Sequence, residues 1–143
     1  MGNLHVPAKL AAIQAATQAH GFAMASDELT GSLLRTLAAT KPGGRVLELG
    51  TGTGLATAWL LDGMDDEAEL WTLDHDAAVV AIAEAHLAHD PRVSFYTMDG
   101  NVFLQSLVEE QHRFDLIFAD TAGQILVVGR NIIAAESGRI VCD

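Results

Sequence analysis

One cysteine and three prolines occur among the 143 residues, and only 6% are aromatic. The lone Cys142 excludes an internal disulfide framework and any zinc site built on paired cysteines. It fits a reducing compartment. Cationic side chains are also scarce: 8 Lys+Arg stand against 19 Asp+Glu, a formal charge of −11. Phosphate backbones and anionic membranes repel such a chain, so neither nucleic acid nor a membrane is an expected partner. No apolar run approaches the ~20 residues that span a bilayer. The first ten residues lack the cationic start and apolar core of a secretory signal. The expectation is a soluble, cytoplasmic protein. Disorder is excluded as well, because 50% of the residues are hydrophobic and 19% charged. A chain of this length makes one domain, 1–143, able to bury about 70% of its unfolded surface.

What is present is an orderly alternation. Pro7 suits the first turn of a helix that runs to His20 and ends at Gly21. Ser26 or Asp27 can cap a second helix, whose Leu29, Leu33, Leu34 and Leu37 fall at helical spacing and read as core. These two helices fill 1–40, and Lys41-Pro42-Gly43-Gly44 ends the second. From 45 onward, apolar runs alternate with helical patterns. Strands are predicted at Arg45–Leu49, Glu69–Leu73, Val93–Met98, Phe114–Ala119 and Arg139–Cys142. Helices are predicted around Ala56–Leu61, Val79–Leu87, Val102–Val108 and Ile125–Ala135, with Asp76 and Asn101 as caps. Such alternation implies right-handed crossovers and an α/β fold of three layers with a mostly parallel sheet. The strands are continuously apolar, as strands covered on both faces are. Ligands in such folds bind beyond the carboxyl ends of the strands.

Those ends carry the chemistry. After the first strand comes Glu48-Leu49-Gly50-Thr51-Gly52-Thr53-Gly54, with three glycines in five residues. Backbone without Cβ turns sharply and lets a ligand approach closely, and the following helix offers free N–H groups. After the second strand come Asp74 and His75. An acid here can accept two hydrogen bonds from a ribose diol, with His75 as a wall of the same pocket or a surface residue. After the third come Met98, Asp99 and Gly100, suited to an adenine ring and its amino group, though Asp99 also suits a helix cap. After the fourth comes Asp120. Four acids thus end four successive strands. The spacing G-x-G-x-G departs from the dinucleotide fingerprint G-x-G-x-x-G. Glu48, two residues before Gly50, would repel a pyrophosphate but attract a cationic ligand. A nicotinamide-cofactor oxidoreductase is therefore the weaker alternative.

Val46 to Gly54 resembles the first motif of class I S-adenosylmethionine-dependent methyltransferases. Leu73-Asp74, Met98-Asp99-Gly100 and Phe114 to Asp120 look like their later motifs. The last phrase, and Met24 to Leu34, are similar to the O-methyltransferases related to the catechol and caffeoyl-coenzyme A enzymes. The resemblance implies a Rossmann-like methyltransferase fold with S-adenosylmethionine at the strand ends. Gly50, Thr51, Gly52 and Gly54 would border its methionine part, and Glu48 would orient the loop. Asp74 would hold the ribose hydroxyls, with His75 beside it. Met98, Asp99 and Gly100 would lie by the adenine. Asp120 would sit near the cofactor's amino group as the candidate catalytic residue. The implied activity is methyl transfer to a small-molecule acceptor, on oxygen.

The pattern departs from the family in three places. No lysine follows Lys41, although the family has one shortly after the fourth-strand acid. Asp143 is not followed by the asparagine that metal-dependent members use, so a divalent metal is not the favoured expectation and no metal ligands are assigned. The last strands of the family fold are missing, which leaves a raw sheet edge that a homodimer would cover. A truncated or non-catalytic cofactor-binding fold is accordingly the alternative to an active enzyme.

Overall fold

The structure is a computed structural model. It describes residues 5–22, 28–121, 124–128, 132–136 and 139–142, with backbone alone from residue 121 onward. Two helices, α1 (Leu10–Ala19) and α2 (Glu28–Ala39), lead into the alternation. It proceeds through β1 (Arg45–Leu49), α3 (Leu55–Gly63), β2 (Glu69–Asp74), α4 (Ala77–Leu87), β3 (Val93–Thr97), α5 (Gly100–Glu109) and β4 (Leu116–Thr121). The four strands pair in parallel in the order β3-β2-β1-β4. The chain therefore steps outward from β1 to β3 and then returns to lay β4 on the other flank of β1. That reversal is the topological switch point, where a cleft opens between the loops leaving β1 and β4.

Each strand is apolar on both faces because both faces are covered. Val46, Leu70, Leu116 and Phe118 pack with α1 to α4, around Ile13, Leu34, Trp59 and Leu60. Leu47, Leu73, Ile117 and Ala119 pack with Phe103, Leu104 and Leu107 of α5. Each fully buried large side chain contributes about 1.5–3 kcal/mol. α3 is buried along Leu55 to Leu61, so it shows no polar stripe.

Of the leucines expected as the core face of α2, Leu34 is buried and Leu37 packs partly buried against the core, but Leu29 and Leu33 do not join them. Leu29 and Leu33 are 81% and 53% exposed, while Gly31, Leu34 and Ala38 are buried. Close approach decides the face. The Trp59 indole fills the space where a side chain at 31 would stand, and Gly63 lies under the Arg35 carbonyl. Arg35 seals this contact, with its guanidinium 4.9 Å from the Trp59 ring centroid and Nη1 donating to Asp62 Oδ2 at 3.1 Å. The proposed caps Ser26 and Asp27, and Met24 to Asp27 of the resemblance, lie outside the described residues.

The helix expected at Ile125–Ala135 is replaced by strands. β5 (Gln124–Val128) pairs antiparallel with β4, from Thr121↔Gln124 to Ile117↔Val128. β6 (Ile132–Glu136) pairs antiparallel with β7 (Arg139–Cys142) in a separate two-stranded sheet, so Arg139–Cys142 is a strand but not a fifth parallel one. Ile125, Val127 and Val128, then Ile132 and Ile133, are β-branched. Their restricted χ1 favours extended chain, and β5 satisfies the ladder groups along the open edge of β4.

Candidate functional site

Register brings the predicted residues to one edge of the sheet. Leu49 lies opposite Leu73 and Ala119, and Asp74 opposite Thr97, so the segments that follow all emerge at the same level. The glycine loop there is tied down by backbone. The amides of Gly50 and Thr51 both donate to the Leu73 carbonyl, at 2.7 and 2.9 Å. Gly50 has φ +101°, and a Cβ on it would overlap the Asp120 carbonyl oxygen. At the switch point the β1 loop thus packs directly against the end of β4. A Cβ added at Gly52, where φ is +55°, would meet no described atom within 4 Å and would project into open space. A Cβ at Gly54 would press on Ala83 of α4, at 2.9 Å.

Asp74 holds the loop from below. Its Oδ2 accepts from the Gly52 amide at 2.9 Å and its Oδ1 from the Asp76 amide at 3.1 Å. A carboxylate has about four acceptor positions, so two remain for a ligand. His75 is a surface residue with an 84% exposed side chain, its Nδ1 3.4 Å from Asp74 Oδ1. Asp76 caps α4, accepting from Ala78 N. Asp99 caps α5, accepting from the amides of Asn101 and Val102 at 2.9 and 3.1 Å. Asn101 is therefore not the cap. It lies inside the helix, because the shorter connection from β3 puts Asp99 at the boundary. Met98 is half-buried against the α5-side core, and Gly100 has open space where a Cβ would project.

Glu48 is the unusual member. It is fully buried, facing the helix side of β1. Oε1 accepts from Thr57 Oγ1 at 2.5 Å and from Thr72 Oγ1 at 2.7 Å. Thr72 in turn is 2.6 Å from Thr51 Oγ1. With the Thr72 proton on Glu48, Thr51 is the donor, and a hydrogen-bonded line runs from the glycine loop into the core. Oε2 has no partner. Burial pushes the carboxyl up to about 7 from its ordinary 4.5; the threonine hydroxyls pull it down, and the charges of Asp120 and Asp74 raise it. Asp120 is half-buried, its carboxyl raised by burial, and no hydrogen bond reaches its carboxylate from the described residues.

The structure thus gathers Glu48, Gly50, Thr51, Gly52, Asp74 and Asp120 around the switch point and sets Met98, Asp99 and Gly100 along the same edge beyond β2. Sequence reading missed Thr57 and Thr72. Thr72 is legible in hindsight as a polar residue inside the apolar run Leu70–Leu73, directly across from Glu48. Thr57, nine residues after Glu48 on α3, is visible only once the helix folds back over β1. Among the described residues no group of three or more histidine, cysteine, aspartate or glutamate side chains converges on a metal position.

A family model described as a methyltransferase domain matches residues 46–134, from β1 into β6. The chain belongs to this family. The methyltransferase domain is 31% identical over 112 residues to a protein named putative O-methyltransferase from Mycolicibacterium smegmatis, covering 76% of this chain and 53% of that one. Its fold matches the crystal structure of a putative O-methyltransferase from Klebsiella pneumoniae with TM-score 0.72 and 28% identity, covering 85% of this chain and 55% of the other. It also matches the Bacillus cereus O-methyltransferase, solved in complex with SAH, with TM-score 0.71 and 25% identity, over 78% and 53% of the two chains. The methyltransferase domain spans about half the length of these relatives.

Proposed function

We propose that this chain binds S-adenosylmethionine at the switch point and serves methyl transfer to a hydroxyl oxygen of a small molecule. The observation that carries this reading is the acidic cradle: Glu48, Asp74 and Asp120 surround a glycine loop whose Gly52 faces open space. Such a cleft suits a ligand with cationic groups and disfavours a pyrophosphate. The relatives named O-methyltransferases, and the one solved with SAH, support the cofactor and the oxygen acceptor. Family membership sets aside the nicotinamide-cofactor alternative.

The residues present fit the cofactor. Asp74 has two acceptor positions left for a ribose diol, and its Gly52 and Asp76 bonds hold it in place. Gly50, Thr51 and Gly52 bring backbone up to the methionine part. Met98 and Gly100 offer an apolar, open surface for the adenine. When bound, the cofactor supplies an electrophilic methyl group on a sulfonium. The protein's own contribution is in-line placement of the acceptor, a term that alone is worth orders of magnitude in rate. Asp120, its carboxyl raised by burial and free of hydrogen bonds to the described residues, is assigned to hold the acceptor's hydroxyl proton. No described helix is long and apolar enough to cross a membrane, and with a single cysteine the cytoplasm is the compartment we propose.

Calorimetric titration with S-adenosylmethionine, with SAH and with NAD tests this reading. Micromolar binding of the first two and none of NAD is expected. Asp74→Ala should weaken binding about 10–100-fold, the loss of one or two hydrogen bonds to a charged group. NAD binding, or no binding of either methionine-derived ligand to folded protein, would overturn it.

A further inference from the structure

One carboxyl group of the acidic cradle is too deeply buried to touch a ligand directly. Glu48 lies in the core beneath the glycine loop, completely removed from solvent. Two hydroxyls occupy Oε1, and no described residue meets Oε2. A buried carboxylate with a bare oxygen is costly, and the cost falls if the group is neutral or if a cation stands nearby. The empty site provides the first solution, and a bound sulfonium provides the second.

We propose that Glu48 is the residue through which this site reads cofactor charge: it holds a proton in the empty cleft and releases it when the sulfonium donor binds, so that the charged donor is preferred over its neutral thioether product. The inference rests on the function proposed above. Glu48 acts as a positioning residue, since it reaches the cofactor through the loop.

The surroundings leave few other groups to answer the charge. Across the sheet, β2 contributes Thr72 and, at its end, Asp74, and β4 contributes Asp120. Both acids oppose a negative Glu48. On the helix side α3 contributes Thr57, and its titratable Asp62 is engaged by Arg35. α1 carries His20, exposed and bonded to the Ala16 carbonyl. α4 carries exposed Glu84 and half-buried His86, the latter bonded to the Ile82 carbonyl. Asp74 is already bonded to two amides and Asp120 is partly solvated. Among the described residues, Glu48 alone combines full burial with an unsatisfied oxygen. The Thr51–Thr72–Glu48 line supplies the link: a shift of the loop on binding changes the hydrogen bonds that decide whether Glu48 is neutral.

The sign is fixed by charge. A sulfonium lowers the affinity of Glu48 for its proton, whereas a thioether lacks that charge. Donor affinity should rise with pH, by up to about tenfold per unit for a one-proton linkage, and level off above about 7, where the free carboxyl is already ionised. The donor-to-product affinity ratio should rise over the same interval.

Three readouts test this. Infrared spectra of ligand-free protein at pH 6 should show a protonated-carboxyl band that is absent in Glu48→Gln. Calorimetry of S-adenosylmethionine at pH 6.5, in two buffers of different ionisation heat, should show more than half a proton released per site, with less for SAH. Glu48→Gln should bind with that proton missing and a donor-to-product ratio flat in pH. If Glu48→Gln does not fold, Thr72→Val serves instead and should move the release curve to higher pH. Absence of the band, donor binding without proton release, or release unchanged in Glu48→Gln or Thr72→Val would each overturn the inference and leave the cofactor assignment standing. Failure of the wild type to bind the donor at all would overturn both.

Discussion

Replacing Gly50 by alanine should separate two demands on one glycine. Its φ of +101° is costly for any residue with a Cβ, at about 1–3 kcal/mol. The added methyl would also overlap the Asp120 carbonyl oxygen, and displacing packed backbone costs about 1–3 kcal/mol more. The sum is about 2–6 kcal/mol, a large part of the 5–15 kcal/mol that holds a typical domain together. Gly52→Ala is the control. Its φ is +55° and an added Cβ would meet no described atom within 4 Å, so it should lose only the left-handed backbone term of about 1–2 kcal/mol. Urea unfolding of both variants, with slopes compared to the parent, measures the difference. At this chain length each kcal/mol moves Tm by about 3–5 °C, so Gly50→Ala should melt well below Gly52→Ala. Equal losses within about 0.5 kcal/mol would refute the argument that contact with β4, and not φ alone, fixes the residue.

Three further outcomes follow from the packing and the electrostatics. The Glu48 carboxyl is raised in the folded state, so the folded protein binds more protons than the unfolded chain between about 4.5 and 7; its stability contribution is present below that interval and is lost as pH rises through it, by about 3 kcal/mol, and Glu48→Gln should flatten this part of a stability–pH curve. Gly31→Ala should destabilise by about 1–3 kcal/mol and shift Trp59 fluorescence; a paired Trp59→Leu should recover part of the loss in a double-mutant cycle. Asp99→Ala removes two bonds to the first turn of α5 and should cost about 1 kcal/mol in thermal unfolding, with no change in the slope against denaturant.

The alternating core was legible because its strands are buried on both faces and its turns carry glycine or a capping acid. Each of Glu48, Asp74, Asp99 and Asp120 stands where an apolar run stops, which is why all four could be assigned to one edge before any pairing was known. The face of α2 was legible only in part: Leu34 and Leu37 pack with the core as expected, Leu29 and Leu33 do not. Its leucine spacing is a genuine helical stripe, but a glycine cannot advertise the indole it admits. The segment after Asp120 misled for another reason. Ile125 to Ala135 satisfies a helical pattern and an extended one equally well, and β-branching should have decided it. The threonine partners of Glu48 depend on cross-strand register and helix docking, which periodicity within one segment does not contain.

The contact between Gly50 and Asp120 has an evolutionary consequence. Asp120 meets the glycine with its carbonyl, an atom every amino acid has, while its side chain makes no hydrogen bond to the described residues. Descendants of this chain can therefore exchange the side chain at 120 as acceptor chemistry changes, without rebuilding the fold. Position 50 has no such latitude, since any substitution there pushes on the strand that carries 120. One side of the junction is free to diversify because the other side is frozen.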